Sequence, residues 1–211
     1  MTLSESDRGS FRDPSGFVYQ RDDIIYRQVN LGYRENYDRL VESGLYQALV
    51  EEGMMVPHSE VGLEYAAIPG AYRVIQPEPV LFISYPYEWS FSQLKDAALL
   101  TLSIQSIALA HGLSLKDASA YNIQFVGSRP VLIDTLSFEI RRQGVPWTAY
   151  RQFCQHFLAP LALMAYRDVR LGQLLRVYID GIPLDLCHGL LPLKSCLNLS
   201  LLLHLHGHSK A

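Results

Sequence analysis

The chain has 211 residues, of which 49% are apolar and 18% charged, and a net charge of −3; that length and balance fit one compact unit with room for a real core. The charge lacks the basic excess of a phosphate-backbone binder, which excludes nucleic acid as the expected partner. The apolar tract at residues 197–205 is short and its surroundings are interrupted by Pro192, Lys194 and Asn198. A spanning helix needs about 20 apolar residues, so no membrane span is expected.

Cys154, Cys187 and Cys196 are odd in number and widely spaced, and the start MTLSESDRGS is polar and acidic where a secretion signal would be basic and then apolar. Reduced thiols in a cytoplasmic protein are the expectation.

In chain order, residues 1–15 lack periodicity and predict a poorly ordered arm. The β-rich runs 16–19 and 24–29 flank the polar Gln20-Arg21-Asp22-Asp23, which predicts a hairpin. Apolar residues at helical spacing predict one helix over 35–52, stopped by Gly53. Short strands are predicted at 54–57, 72–76 and 80–85, the last leading into the aromatic connection Tyr85-Pro86-Tyr87-Glu88-Trp89. A serine-capped helix over 91–110 carries apolar residues on more than one face and is expected to be largely buried, with Gly112 just past its end. Then come a loop (113–121), a strand (122–126), a Gly127-Ser128-Arg129-Pro130 turn and a strand (131–134). Helices are predicted at 149–165 and 171–178, a break at Gly181-Ile182-Pro183, and an apolar segment at 190–205. Strands first and helices after predict an α+β fold, with a sheet lobe at 16–88 and a helical lobe with its hairpin at 89–211.

Chemistry concentrates in the hairpin. Asp117 and Asn122 lie five positions apart on a loop entering a strand, and Asp134 ends the strand after it. Phosphoryl transfer uses such a set: one carboxylate positions the acceptor hydroxyl, while an Asn oxygen and a second carboxylate hold Mg²⁺ against nucleotide phosphates. Asp117 is the candidate catalytic residue, and Asn122 and Asp134 are the candidate metal ligands. An Asx-turn role for Asp117 and Asn122 is the plain structural alternative.

These residues resemble the catalytic-loop Asp, loop Asn and metal-loop Asp of the protein-kinase-like superfamily, most closely its aminoglycoside and choline kinase branch. The resemblance implies a two-lobed fold, ATP and Mg²⁺ as cofactors, and a small-molecule acceptor. Over 8–206, the stretches YPYEWSFSQL (85–94), LSLKDASAYNIQF (113–125) and YRQFCQHFLAPLALMAYRDVRLGQLL (150–175) are also similar to the N-terminal region of bacterial nodulation-type SAM-dependent methyltransferases. That likeness implies a methyltransferase domain or protein as partner. No G-x-G occurs in the sequence, so SAM is not expected to bind this chain itself.

The kinase pattern is departed from in two places. The first lysine is Lys95, leaving Arg27 or Arg73 as the sheet-lobe cation, with Glu42 or Glu51 as its partner; a Gly-rich phosphate loop is absent. Arg27 and Tyr85 are the candidate nucleotide-binding residues. Three readings stay open: a phosphotransferase, a non-catalytic pseudokinase module that recruits substrate for a methyltransferase, and a truncated fragment without activity. His204, His206 and His208 are expected to lie on a frayed terminus, His156 and Cys154 to be packed, and Arg141 and Arg142 to be solvated. Tyr85, Tyr87 and Trp89 fit either stacking on a ligand or core packing.

Overall fold

The computed structural model describes residues 13–207, and the fold is α+β. Strands β1 (Gly16–Arg21), β2 (Ile24–Asn30), β3 (His58–Val61) and β4 (Ala71–Pro77) form an antiparallel sheet in the order β1-β2-β4-β3. The β1–β2 turn is Asp22-Asp23, with φ of 51° and 60°. Positive φ at both central residues is the primed turn that matches strand twist, and Asp tolerates it better than most residues.

The predicted helix at 35–52 is two helices, α1 (Arg34–Glu42) and α2 (Leu45–Glu51), because Gly44 adopts φ +78° between them. The predicted strand at 54–57 is a single parallel bridge, Met55 to Leu132. Residues 80–85 form no strand either. Both neighbours of β4 are already filled by β2 and β3, and this run does not reach the free edges at β1 and β3; Leu81 is fully exposed. It becomes a linker, tied down where the Gln124 amide accepts from Ser84 N (3.0 Å) and donates to Ser84 O (3.1 Å). Trp89 is buried, donates to Ser84 Oγ and meets Phe125 edge-on, so it belongs to the core.

Helix α3 (Phe91–Ala110) is capped by Ser90, whose hydroxyl accepts from Gln93 N. Gly112 follows with φ +77°, as a left-handed C′ position requires. Leu94, Ala97 and Ile104 are buried, but Leu99 and Leu102 are exposed, so the helix buries less of its circumference than its apolar residues predict. Strand β5 (Leu113–Leu115) pairs with β8 (Phe138–Ile140), and β6 (Ile123–Val126) with β7 (Arg129–Leu132).

The predicted helix at 149–165 is α4 (Tyr150–Phe153), a π turn (Cys154–Leu158) and α5 (Ala159–Tyr166). Pro160 lacks an amide hydrogen, and its ring would crowd the carbonyl four residues back, that of His156. Widening the turn before it, with Ala159 N donating to Cys154 O, relieves that conflict. Of the predicted helix at 171–178, residues 171–176 lie in 3₁₀ turns (Val169–Arg176) and 177–178 lie past them, and α6 (Leu184–Leu190) follows Pro183.

The main core joins Leu40, Leu49 and Met55 of the first half to Leu94, Ile104, Phe138 and Phe157 of the second. A second cluster contains Val29, Tyr33, Tyr37, Ile75 and Leu136. It fastens the sheet to the segment following Asp134. Among the described residues no helix is long and apolar enough to cross a membrane. Cys154, Cys187 and Cys196 are free thiols, and burial pushes the Cys187 thiol up to about 12.

At both ends the described residues are packed. Residues 1–12 lie outside the described residues, but Ser15 is buried and its carbonyl accepts from Asn30 N at 2.9 Å. At the other end, residues 199–207 are helical or turn and not frayed. Leu205 is buried, Tyr150 bonds His204, and His206 meets His188 and Ser195. His208 lies outside the described residues.

Candidate functional site

Side chains on a strand alternate, so Arg27 shares its face of β2 with Val29. Val29 belongs to the cluster containing Leu136, two residues past Asp134. The strand pattern thus aims Arg27 at the end of the β6–β7 hairpin. There its guanidinium forms an ion pair with Asp134 Oδ1, with the two side chains only 15% and 12% exposed. Asp134 leaves the hairpin after Ile133, whose amide donates to Asn122 O at 2.9 Å. Its carboxylate accepts further bonds from Leu136 N (3.1 Å) and Ser137 Oγ (2.6 Å).

Asn122 joins the same network. Its Nδ2 donates to Ser137 Oγ at 3.2 Å. The carbonyl of Ser137 accepts from Lys116 N (2.8 Å) and Asp117 N (3.4 Å), which brings the loop bearing Asp117 to the same point. Asp117 Oδ1 accepts from Ser119 N at 2.9 Å, the Asx turn that the plain alternative describes. Lys116 turns the other way, donating to Ser15 Oγ (2.6 Å), pairing with Asp13 (3.5 Å) and lying over the Tyr33 ring. Tyr33 is buried and donates to Phe138 O; burial, then the nearby Asp134 charge, raises its pKa well above the usual phenol value.

Arg27, Asn122, Asp134 and the Asp117 loop are therefore brought together. Tyr85 is not part of that network. It is 45% exposed on the linker and stacks on Tyr87 with ring centroids 5.4 Å apart. Both rings lie near Tyr121, whose hydroxyl donates to Leu175 O and whose pKa is raised, first by burial and then by those two phenols.

Several expectations are corrected. Arg73 pairs with Glu60 at 3.1 Å and lies over Tyr72, so Arg27 alone of the two candidates reaches the hairpin. Glu42 and Glu51 are exposed, and Glu51 accepts from Gln47; the carboxylate facing Arg27 belongs to Asp134. The sequence reading also passed over Ser137, although a serine three residues after an aspartate is a recognisable local hydrogen-bonding pattern.

The donor set limits what metal fits. An ionised carboxylate has about four lone-pair sites, and Asp134 already accepts from Arg27, Leu136 and Ser137. Among the described residues no group of three His, Cys, Asp or Glu could hold an ion. Asn122 and Asp134 offer only two oxygen donors, so a Mg²⁺ ion held by them would need its remaining ligands from phosphate oxygens or water. They do not make a self-sufficient metal cage.

Against this geometry stands one sequence comparison. The chain is similar to a nodulation protein. It is 40% identical over 177 residues to nodulation protein NoeA of Rhizobium meliloti (strain 1021), a stretch covering 83% of this chain and 37% of that relative. The chain spans little more than a third of the relative's length, and no family model matches it. Arg27, Asn122, Asp134 and Ser137 form one network in this NoeA-like sequence.

Beyond the network, His156 is 1% exposed within the π turn, and its Nδ1 has no partner among the described residues. Burial drives its pKa down from 6.5 to about 4, against the opposing pull of Asp180. The unfolded chain takes up this proton near pH 6.5 and the folded chain only near 4. The stability contributed by neutral His156 is therefore complete above pH 6.5 and is lost as pH falls towards 4, at about 1.4 kcal/mol per pH unit. His58, also lowered to about 4 by burial, acts in the same window. We expect the Tm to decline below pH 6.5, and the Tm gap between wild type and His156→Gln to narrow across that window. A gap independent of pH would overturn the assignment to His156.

Proposed function

We propose that this chain is a two-lobed, kinase-like module that binds a nucleotide–Mg²⁺ complex at Asp134, Asn122 and Arg27, in the cytoplasm, within a methyltransferase-type nodulation protein. The observation that carries the reading is the buried pairing of Arg27 with Asp134, joined through Ser137 to Asn122. It sets a cation from the sheet beside a strand-end carboxylate and an Asn, the combination that phosphoryl-group binding uses. When bound, Mg²⁺ would neutralise charge on the phosphates. Arg27, with five donors in a planar fork, suits a phosphate oxygen as well as it suits Asp134. Asp117, on the half-buried loop beside them, would accept a hydrogen bond from the hydroxyl of a small-molecule acceptor.

A second reading, a pseudokinase that recruits substrate for a methyltransferase domain, is favoured by one feature: the Asp117 carboxylate caps its own loop at Ser119 N, leaving less of it for an acceptor hydroxyl. The two readings part in one experiment. ATP with Mg²⁺ at about 100 times its Kd is expected to stabilise the chain by about 2.7 kcal/mol, raising Tm by roughly 5–10 °C. Asp134→Ala should abolish the shift. No shift in the parent, or an equal one in Asp134→Ala, would sink the nucleotide site. ATP turnover that Asp117→Ala removes without loss of binding identifies the phosphotransferase; binding without turnover identifies the recruiting module.

A further inference from the structure

Ser137 is fully buried, and each of its hydrogen-bonding groups is used by a part of the candidate site. Its hydroxyl contacts Asp134 Oδ2 at 2.6 Å and Asn122 Nδ2 at 3.2 Å. Its carbonyl accepts from the amides of Lys116 and Asp117. We propose that Ser137 is the positioning residue of the site, setting which atom of the Asn122 amide is left to bind a cation; this rests on the nucleotide–Mg²⁺ reading.

Proton counting carries the argument. A serine hydroxyl has a single hydrogen to donate, and an ionised carboxylate can only accept. That hydrogen goes to Asp134, so towards Asn122 the hydroxyl can only accept. Asn122 must therefore present its NH₂ group to Ser137 and turn its carbonyl oxygen elsewhere. An amide with its nitrogen towards a cation is repelled, whereas the oxygen is a hard ligand of the kind Mg²⁺ takes. A single hydroxyl thus orients the neutral ligand and holds the second oxygen of the charged one. Supporting groups of this kind typically set metal affinity by 10- to 100-fold.

The backbone of Ser137 adds a second constraint. Because its carbonyl takes the amides of residues 116 and 117, the loop of Asp117 is fixed relative to the same residue that orients Asn122 and Asp134. Substituting the side chain leaves those amide bonds available, so the hydroxyl can be tested apart from the loop.

The probes are Mn²⁺ with ADP, followed by paramagnetic broadening, and the side-chain NH₂ resonance of Asn122 in the ligand-free chain. In wild type the Asn122 NH₂ protons should be protected from exchange and Mn²⁺·ADP should bind. In Ser137→Ala the protection should vanish and Mn²⁺·ADP binding should weaken by about 10- to 100-fold, with Ser137→Thr keeping both. Ser137→Cys, close in volume and only a weak donor, is expected to weaken binding in the same direction and serves if the alanine variant does not fold. Wild-type binding that neither substitution weakens overturns the role of Ser137 alone. A wild-type chain that binds no Mn²⁺·ADP overturns the nucleotide reading and this inference with it.

Discussion

Arg27→Met is expected to destabilise the fold by about 3 kcal/mol, the low end of the range for removing one partner of a buried ion pair. The low end applies because both side chains retain some solvent contact, at 15% and 12%. The loss arises mainly on the partner: Asp134 would keep its bonds from Leu136 N and Ser137 Oγ but lose its counter-charge in a site with little water. For a chain of this length the expected fall in Tm is about 6–12 °C. An exposed ion pair contributes no more than about 1 kcal/mol, so the measurement separates the two cases clearly. The double variant Arg27→Met with Asp134→Asn should be less destabilised than the sum of the single variants, since neutralising Asp134 removes the stranded charge. Additive losses would mean that the pair does not act as a unit. The same variant bears on function: if Arg27 holds phosphate, Arg27→Met should weaken nucleotide binding although it removes one of the two bonds to Asp134 Oδ1.

How far the sequence revealed this site depends on the range of the forces involved. The β6–β7 hairpin, the capped helix α3 and the β1–β2 hairpin rest on local periodicity and turn chemistry, and their places were legible. Arg27 was named as a cation only through what the resemblance left unfilled, and Arg73 looked equally suitable. The choice between them is made by strand alternation and by the packing of Val29 with Leu136, contacts across more than 100 residues of sequence. Residues 80–85 read as a strand because they are apolar, but the sheet's free edges lie at β1 and β3, and the run is held at Ser84 by the Gln124 side chain instead of by a strand partner. Gly44 interrupts the helical pattern at 35–52 without breaking its apolar spacing, so periodicity could not show the break. Ser137 was overlooked for a different reason. Its neighbours Thr135 and Leu136 are buried too, and a small polar residue in such a run does not announce that its hydroxyl joins two distant side chains.

Gly181 carries the other large effect. The sequence marks Gly181-Ile182-Pro183 only as a break between helical segments; the fold gives the glycine a packing role. Its φ is +92°, and an added Cβ would lie 2.6 Å from Gln155 Cβ and 3.0 Å from both Gln155 C and His156 Cδ2. Ile182 N also donates to Gln155 O at 3.0 Å, so this backbone is fastened to the π turn and cannot retreat freely. Alanine at 181 would incur roughly 1–2 kcal/mol for the left-handed conformation and roughly 1–3 kcal/mol for overpacking, about 3 kcal/mol together. Gly44 separates the two contributions. Its φ is +78° and nothing lies within 4 Å of its Cβ position, so Gly44→Ala should show the conformational cost alone. Chemical denaturation of the two variants should therefore place Gly181→Ala below Gly44→Ala by the overpacking contribution. Equal losses would show that the 181 segment can shift away from the π turn. A larger loss at 181, with altered exchange at residues 154–158, would show that the glycine holds open the widened turn that Pro160 requires and that keeps His156 buried.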